Sequence, residues 1–301
     1  MDSKEQLFEK LKTNGLGKYF DKIEPMVCNT IRLYLTSCSE DDIPIGQSKI
    51  GGQPDLPAGF SWFTETNTVT TKKKFWIFGK ETQQIITKSL SFIAQINLLE
   101  ISQFDSENLL PKNGILYFFY AEGQDAWGFD FKDKNKFKIL FFDGDLTTLK
   151  RFDFPEDLQN SRFKPCSIVA KQEISLPSYG YGLDEDLNLT DDEADIFYDK
   201  IYEDGNLNKL LGYADNIQGE MELECELVTN GLYCGDPSGY NDPRAKTLEP
   251  NAKNWRLLLQ VDSNEENEMM WGDCGRLYFW IKKEDLINKQ FDKSWFSLQC
   301  S

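Results

Sequence analysis

The sequence predicts a sheet-rich, antiparallel fold made of two related halves within a single domain, residues 1–301, opened by a short N-terminal helical segment. Three observations carry this. Short apolar runs, alternating or continuous, recur between Gly-, Pro- and Asn-rich turns, as strands do. One pair of runs occurs twice in the same order. Helix-start signals stand ahead of the first strand.

The elements follow in order. Ser3-Lys4-Glu5-Gln6 reads as a capping box, Leu7, Phe8 and Leu11 as one apolar stripe, and Gly15 as the stop. A second short helix is expected from about Leu16 to Glu24, before Pro25, so that the two make a small lid with a wet outer face. Thr30–Leu35 alternates like a strand. Residues 50–62 carry two prolines and three glycines and are expected to form a shaped loop without a regular element. Without a following G-K-[ST] it is not a phosphate loop. Residues 64–88 read as a polar hairpin with a basic tip, Lys72-Lys73-Lys74, whose solvated placement is favoured over a patch for an acidic partner. Residues 90–97 and 115–120 are strands, the second apolar on both faces and so expected inside the sheet. Residues 128–142 suggest another hairpin. In the acidic stretch from Leu183 to Asp204, Thr190-Asp191-Asp192-Glu193 is a capping box and Ile196, Phe197, Ile201 and Tyr202 give a helical stripe.

The repeat is the most informative feature. Phe92-Ile93-Ala94-Gln95-Ile96-Asn97 and Gly114-Ile115-Leu116-Tyr117-Phe118-Phe119 match Leu258-Leu259-Gln260-Val261-Asp262 and Gly275-Arg276-Leu277-Tyr278-Phe279-Trp280. The copies are offset by 165 at Gln and by 161 at Gly. This predicts two antiparallel strand pairs from an internal duplication, with halves at about 28–150 and 165–301. The Gln and Asn/Asp side chains fall near strand ends, where amides satisfy loop backbone.

Composition narrows the chemistry. With 33 basic and 50 acidic residues the net charge is −17, which argues against nucleic acid as a partner because phosphate binding needs Lys and Arg. There is no His at all. That excludes Ser-His-Asp and Cys-His catalysis and every His-ligated metal. The seven cysteines form no C-x-x-C, and the polar N-terminus has no apolar h-region. Together these point to reduced thiols in the cytoplasm. With no run of 18 apolar residues, no membrane partner is expected. Aligned as an EF-hand, the acids from Asp184 put Leu189 where Gly is needed and Asp195 where Glu is needed. No metal and no cofactor are expected.

The candidate binding residues lie on Gly-rich loops: Gln53, Asp55 and Trp62 in the first half; Tyr213 and Gln218; Asp236, Tyr240, Asn241, Asp242 and Arg244; and Trp271 and Asp273. Gly with polar tips and an aromatic suits a rigid-loop site, and equally builds tight turns. Arg244 has two readings: a fastener tied to Asp236 or Asp273, or a guanidinium facing an open cleft.

Several of these motifs together resemble the bacterial YwqG-like family: Gly51-Gly52-Gln53-Pro54-Asp55-Leu56-Pro57, Phe92–Asn97, Leu210-Leu211-Gly212-Tyr213 with Ile217-Gln218, Leu258–Ser263, and Trp271-Gly272-Asp273 with Gly275. The resemblance covers roughly residues 30–300. It implies an α+β, sheet-rich cytoplasmic fold and no established reaction, cofactor or catalytic residue. Two features depart from the pattern: Phe63 follows Trp62 where Pro is usual, and the 64–88 hairpin is long.

Function is expected to be binding rather than catalysis, with no catalytic residue assigned. The partner would be a basic protein, met by charge complementarity, or a small ligand in a cleft lined by the Gly-rich loops. The alternative is a carboxylate-based, hydrolase-like enzyme using two of Asp55, Asp236, Asp242, Asp262 and Asp273 as acid and base. A small-molecule sensor would require a deep apolar pocket.

Overall fold

A computed structural model describes residues 1–73, 80–178, 181–202 and 206–301. Its strands are β1 Cys28–Ser37, β2 Lys49–Ile50, β3 Asp55–Pro57, β4 Thr64–Lys73, β5 Lys80–Asn97, β6 Ile115–Ala121 and β7 Phe137–Phe142. They continue with β8 Leu149–Arg151, β9 Cys166–Ser175, β10 Lys209–Leu210, β11 Trp255–Asp262, β12 Arg276–Lys282 and β13 Trp295–Gln299. Among the described residues one sheet of 11 strands runs β13-β12-β11-β10-β1-β9-β2-β5-β6-β7, with β4 on β5, and β3 pairs β8 apart from it. All these pairings are antiparallel.

The ends of this sheet meet through aromatic rings. Phe118 of β6 lies 5.0 Å from Phe279 of β12, and Phe137 of β7 lies 4.8 Å from Phe296 of β13. The sheet therefore curls into a near-barrel around one shared core. Each ring pair adds about 0.5–1.5 kcal/mol beyond its burial. β6 explains its own apolar sequence: Leu116, Phe118 and Tyr120 enter that core, while Ile115, Tyr117 and Phe119 enter a second cluster on the outer face with Leu56, Leu90 and Phe92. Strict alternation on a strand covered on both sides leaves no polar face.

The N-terminal helix Lys4–Thr13 is capped by Ser3, whose hydroxyl accepts from Gln6 N. Its Leu7 and Leu11 pack with Leu16 and Ile23 against Leu183, Leu187, Phe197 and Ile201. Phe8 and Ile196 instead remain about one-third exposed, so each expected stripe is narrower than its spacing implied. Residues 17–26 form a 3-10 turn, one α turn and another 3-10 turn rather than a single helix.

Three further expectations change. The 50–62 stretch does contain a regular element, β3, flanked by Pro54 and containing Pro57; a short strand outside the main sheet tolerates both. The 64–88 hairpin and the 90–97 strand are one continuous element on the β5 side, because β5 changes partner along its length, from β4 to β6. Only the second half of 128–142 is a strand; Phe131–Asn135 is a 3-10 turn started by Asp130, whose carboxylate accepts from Lys132 N. Of the expected basic tip, Lys72 and Lys73 instead end β4, opposite Glu81 and Lys80, while Lys74 lies outside the described residues, as does Asp204. Among the described residues no helix is long and apolar enough to cross a membrane.

Candidate functional site

Each Gln of the repeated motif organises a buried charged cluster. In the first half Gln95 Oε1 accepts from Asp55 N at 2.8 Å, and its Nε2 donates to Gln47 O at 2.7 Å and Asp55 Oδ2 at 2.8 Å. In the second half Gln260 Oε1 accepts from Asp215 N at 2.9 Å, and its Nε2 donates to Leu207 O and Asp215 Oδ2, both at 2.7 Å. Tyr117 OH donates to Asp55 O at 2.6 Å and Tyr278 OH to Asp215 O at 2.7 Å. Opposite the Gln residues in the ladder stand two buried lysines, Lys49 and Lys209. Lys209 Nζ lies 2.6 Å from Asp215; Lys49 Nζ lies 2.7 Å from Glu40 and 3.5 Å from Asp55. An arginine completes each cluster, Arg151 at 2.9 Å from Asp55 and Arg32 at 3.5 Å from Asp215. Burial alone would raise Asp215, but Lys209 and Arg32 overcome it and hold the carboxyl at about 2. Burial draws Lys209 down to about 8, so the pair is ionised at neutral pH.

The strand pairs beside these clusters share a register. Phe92 stands opposite Phe119, then a bulge skips Ile93; Leu257 stands opposite Trp280, then a bulge skips Leu258. After each two-residue strand, β2 or β10, the chain takes two left-handed residues: Gly51-Gly52 at φ +72° and +70°, Leu211-Gly212 at φ +59° and +75°. A Cβ on Gly212 would lie 2.8 Å from Thr30 Cβ and 2.9 Å from Ser175 Cβ, so only Gly fits.

Beyond these turns the halves part. Gly51 N donates to Ile93 O and Gly52 N to Phe163 O, which zips the first-half turn shut. In the second half β10 meets β11 only at Gln260. Past it, between the start of β1 and the start of β11, lies a cavity of about 510 Å³. Its walls include Tyr181, Tyr213, Trp255 and Trp280. Tyr181 and Tyr213 meet edge-on at 5.4 Å. Such a volume, aromatic with a few polar groups, is the usual form of a small-ligand site.

The charges at this cavity differ from those in the clusters. Glu107, Glu220, Glu222, Lys253 and Arg256 all line it, and none forms an ion pair with any described residue. Arg256 Nη1 donates to the carbonyls of Lys253 and Trp255 at 2.6 and 2.7 Å. Glu222 accepts from Tyr181 OH at 2.7 Å and from Met221 N at 3.2 Å. Burial raises the Glu222 carboxyl above the ordinary range. Trp280 is 1% exposed and its indole N–H has no partner. Burial pushes the Cys28 thiol, also at the cavity, up to about 12, away from a reactive thiolate.

A family model described as a domain of unknown function, DUF1963, matches residues 48–300. The chain belongs to the DUF1963 family. YwqG-like proteins fall within DUF1963, so the resemblance in the motifs and the family match agree. A comparison with curated proteins returns no match.

Of the residues singled out in this DUF1963 sequence, only Tyr213 lines this cavity. Asp55 belongs to the first buried cluster, and Gln53 lies beside it, its backbone N on Glu40 and its Nε2 on Asp153. Trp62 donates to Leu90 O and packs edge-on against Phe119 at 5.7 Å. Gln218 donates to Cys300 O, while Asp273 O accepts from Ser301 N, so their two loops meet at the C-terminal strand. Trp271 is buried against Tyr120 and Phe163. Asp236 accepts from Ser238 N, Tyr240 OH donates to Glu224, and Asn241 is exposed. Arg244 pairs with neither Asp236 nor Asp273. It grips Asp242, two residues away, through Nε at 3.0 Å and Nη2 at 3.2 Å. The four loops thus do not line one cleft.

The carboxylates weighed for catalysis also have separate partners. Asp55 is matched by Lys49 and Arg151, Asp262 by Arg276 at 2.7 Å, and Asp242 by Arg244. Among the described residues no group of three or more Cys, Asp or Glu is placed to hold a metal.

The sequence did carry a signal for the missed cavity residues. Two residues ahead of Phe92 stands Leu90-Ser91; two ahead of Leu257 stands Trp255-Arg256. A change from small and apolar to aromatic and cationic at matched places in a repeat marks where one copy does something the other does not.

Proposed function

We propose that the protein is a small-molecule binding protein and that the cavity beside Tyr213 is its ligand site. The two hairpins descend from an internal duplication in this reading, and one copy has opened a position the other keeps packed. The observation that carries the proposal is the set of unpaired charges of both signs around an aromatic-walled volume. Elsewhere in the interior Lys49, Lys209, Arg32 and Arg151 each sit against a carboxylate. Leaving a half-buried guanidinium and a half-buried carboxylate without an opposite charge is unfavourable unless something else supplies it.

The first half indicates how to test it. Trp62 and Phe63 follow Asp55 by seven and eight residues and cover Phe119. Glu222 and Leu223 follow Asp215 by the same counts and line the open cavity. Leu223→Trp should therefore plug it. A panel of amines, carboxylates and amino acids is screened by thermal shift against the wild type and Leu223→Trp. Binding that appears in the wild type and disappears in a folded Leu223→Trp supports the proposal; equal shifts in both overturn it.

A further inference from the structure

Resting on the cavity reading above, we infer that the ligand is a small zwitterion with an apolar or aromatic body. Its anionic group would meet Arg256, and its ammonium would meet Glu222 and the tyrosine rings.

The donor side is Arg256, at the start of β11 beside the cavity. Its Nε and Nη2 groups have no acceptor among the described residues, and its Nη1 is taken only by neutral carbonyls. A guanidinium with free donors prefers a carboxylate or phosphate oxygen pair. Trp280 borders the same cavity from the other face of the ladder, since Leu257 stands opposite Trp280 and Arg256 opposite Ile281. Its indole N–H is buried without an acceptor and can only donate, so it calls for an acceptor of its own.

The acceptor side is Glu222. Its oxygens take one phenol and one backbone N–H, both neutral, and no cation stands within ion-pair distance among the described residues. Glu107 and Glu220 line the same cavity and reinforce a negative field there. Tyr181 and Tyr213 add ring faces, which attract an ammonium. A purely cationic ligand would leave Arg256 unmet, and a purely anionic one would face three glutamates. A ligand carrying both groups satisfies both sets at once. The aromatic walls account for the body between them.

Isothermal titration of the full chain with five probes tests this. Phenylalanine and 4-(aminomethyl)benzoate are zwitterions of different charge spacing. Phenethylamine carries the cation alone, 4-methylbenzoate the anion alone, and p-xylene neither. At least one zwitterion should bind ten-fold or more tightly than the other three. Arg256→Gln should weaken that zwitterion and 4-methylbenzoate by ten-fold or more and leave phenethylamine within two-fold. Glu222→Gln should do the reverse. If p-xylene or a single-charge probe binds as tightly as both zwitterions, and Leu223→Trp abolishes it, the cavity is a site but the zwitterion inference is wrong. Heat from none of the five overturns both. The probe ranking on the wild type needs no variant, so a misfolded substitution does not rescue the inference.

Discussion

Phe119 and Trp280 occupy the same place in two hairpins of matched register, yet they meet opposite surroundings. Phe119 lies under Trp62, Phe63 and Phe92, with ring centroids 5.2–5.7 Å away. Trp280 lines a cavity of about 510 Å³ with its N–H unsatisfied. The segments arriving after the buried aspartates make the difference. After Asp55 the chain brings aromatic residues down onto the strand and then runs out into the β4–β5 arm. After Asp215 it brings the helix Glu222–Thr229, whose Glu222 and Leu223 stop short of filling the space. A repeated charged cluster thus acts as a fixed frame, and what hangs on it decides whether the face is packed or open.

The largest expected effect tests whether the two frames are equivalent. Lys209→Met removes the closest cation of Asp215 and leaves Arg32 at 3.5 Å and the Tyr202 hydroxyl. Breaking a buried pair from one side costs about 3–5 kcal/mol. Lys49→Met should cost less, because Asp55 keeps Arg151 at 2.9 Å. Urea unfolding of the two variants measures the gap. Equal losses would mean that the arginines, and not the lysines, carry both clusters.

Gln95→Leu and Gln260→Leu come next and should match each other. Each removes three hydrogen bonds and leaves the backbone N–H of a buried Asp unpaired, with a penalty of about 1–3 kcal/mol for that orphan group alone. Unfolding free energies differing by more than about 1 kcal/mol between the two would show that the frames have diverged despite identical bonding.

The frame was legible in the sequence; the opening was not. Gln95, Tyr117, Gln260 and Tyr278 stand out because polar residues interrupt apolar strands at repeated places, and strand alternation constrains which face they take. Lys49 and Lys209 did not stand out, because a lone Lys just ahead of a Gly-containing turn reads as surface. Its burial follows from a partner six residues later in the chain that the turn folds back. The cavity is legible only by difference. It arises from packing that is missing between β1 and β11, and no periodicity reports a missing contact. Loop composition pointed instead to residues 235–244 and 271–275, which build turns packed onto the body of the fold, as Trp271 does on Tyr120 and Phe163.

A third effect separates the two faces of the second-half helix. Glu224 points away from the frame into contact with Tyr240 and Ser297, at 3.3 and 3.5 Å, and burial raises its carboxyl to about 7. A carboxyl with a folded value above its unfolded value near 4.5 takes up a proton on folding. Its contribution is therefore most favourable below about pH 4.5 and declines as pH rises to about 7, beyond which it is constant. Asp215 acts oppositely: its contribution is present above its unfolded value near 3.8 and is lost as pH falls toward about 2. Glu224→Gln should flatten the decline between pH 4.5 and 7 and make the variant the more stable protein at pH 8. Melting curves across that range check it. An unchanged slope would place the helix in a wetter setting than the packing against Ser297 implies.

The smallest effect concerns the loop that the second half adds after this helix. Arg244 forms a two-point grip on Asp242, but its side chain is 60% exposed, and both partners lie within three residues of chain. Solvent screens such a pair, and the turn already holds Arg244 N on Asp242 Oδ1 at 2.8 Å, a contact that survives loss of the guanidinium. The Arg244 hydrogen bond is the main reason the Asp242 carboxyl lies below its ordinary range. Arg244→Ala should accordingly leave the melting temperature unchanged within error at pH 7, and probe binding at the Tyr213 cavity unchanged as well, while the Asp242 carboxyl rises toward its ordinary value. Arg244→Lys should fall between the wild type and Arg244→Ala in that titration, because it keeps the charge and loses the planar fork. If Arg244→Ala instead lowers the melting temperature by several degrees, the loop is part of the frame's support, and the contrast between the halves extends past the helix. If it weakens ligand binding with melting unchanged, the cavity communicates with this loop, and the open face is larger than the space between β1 and β11.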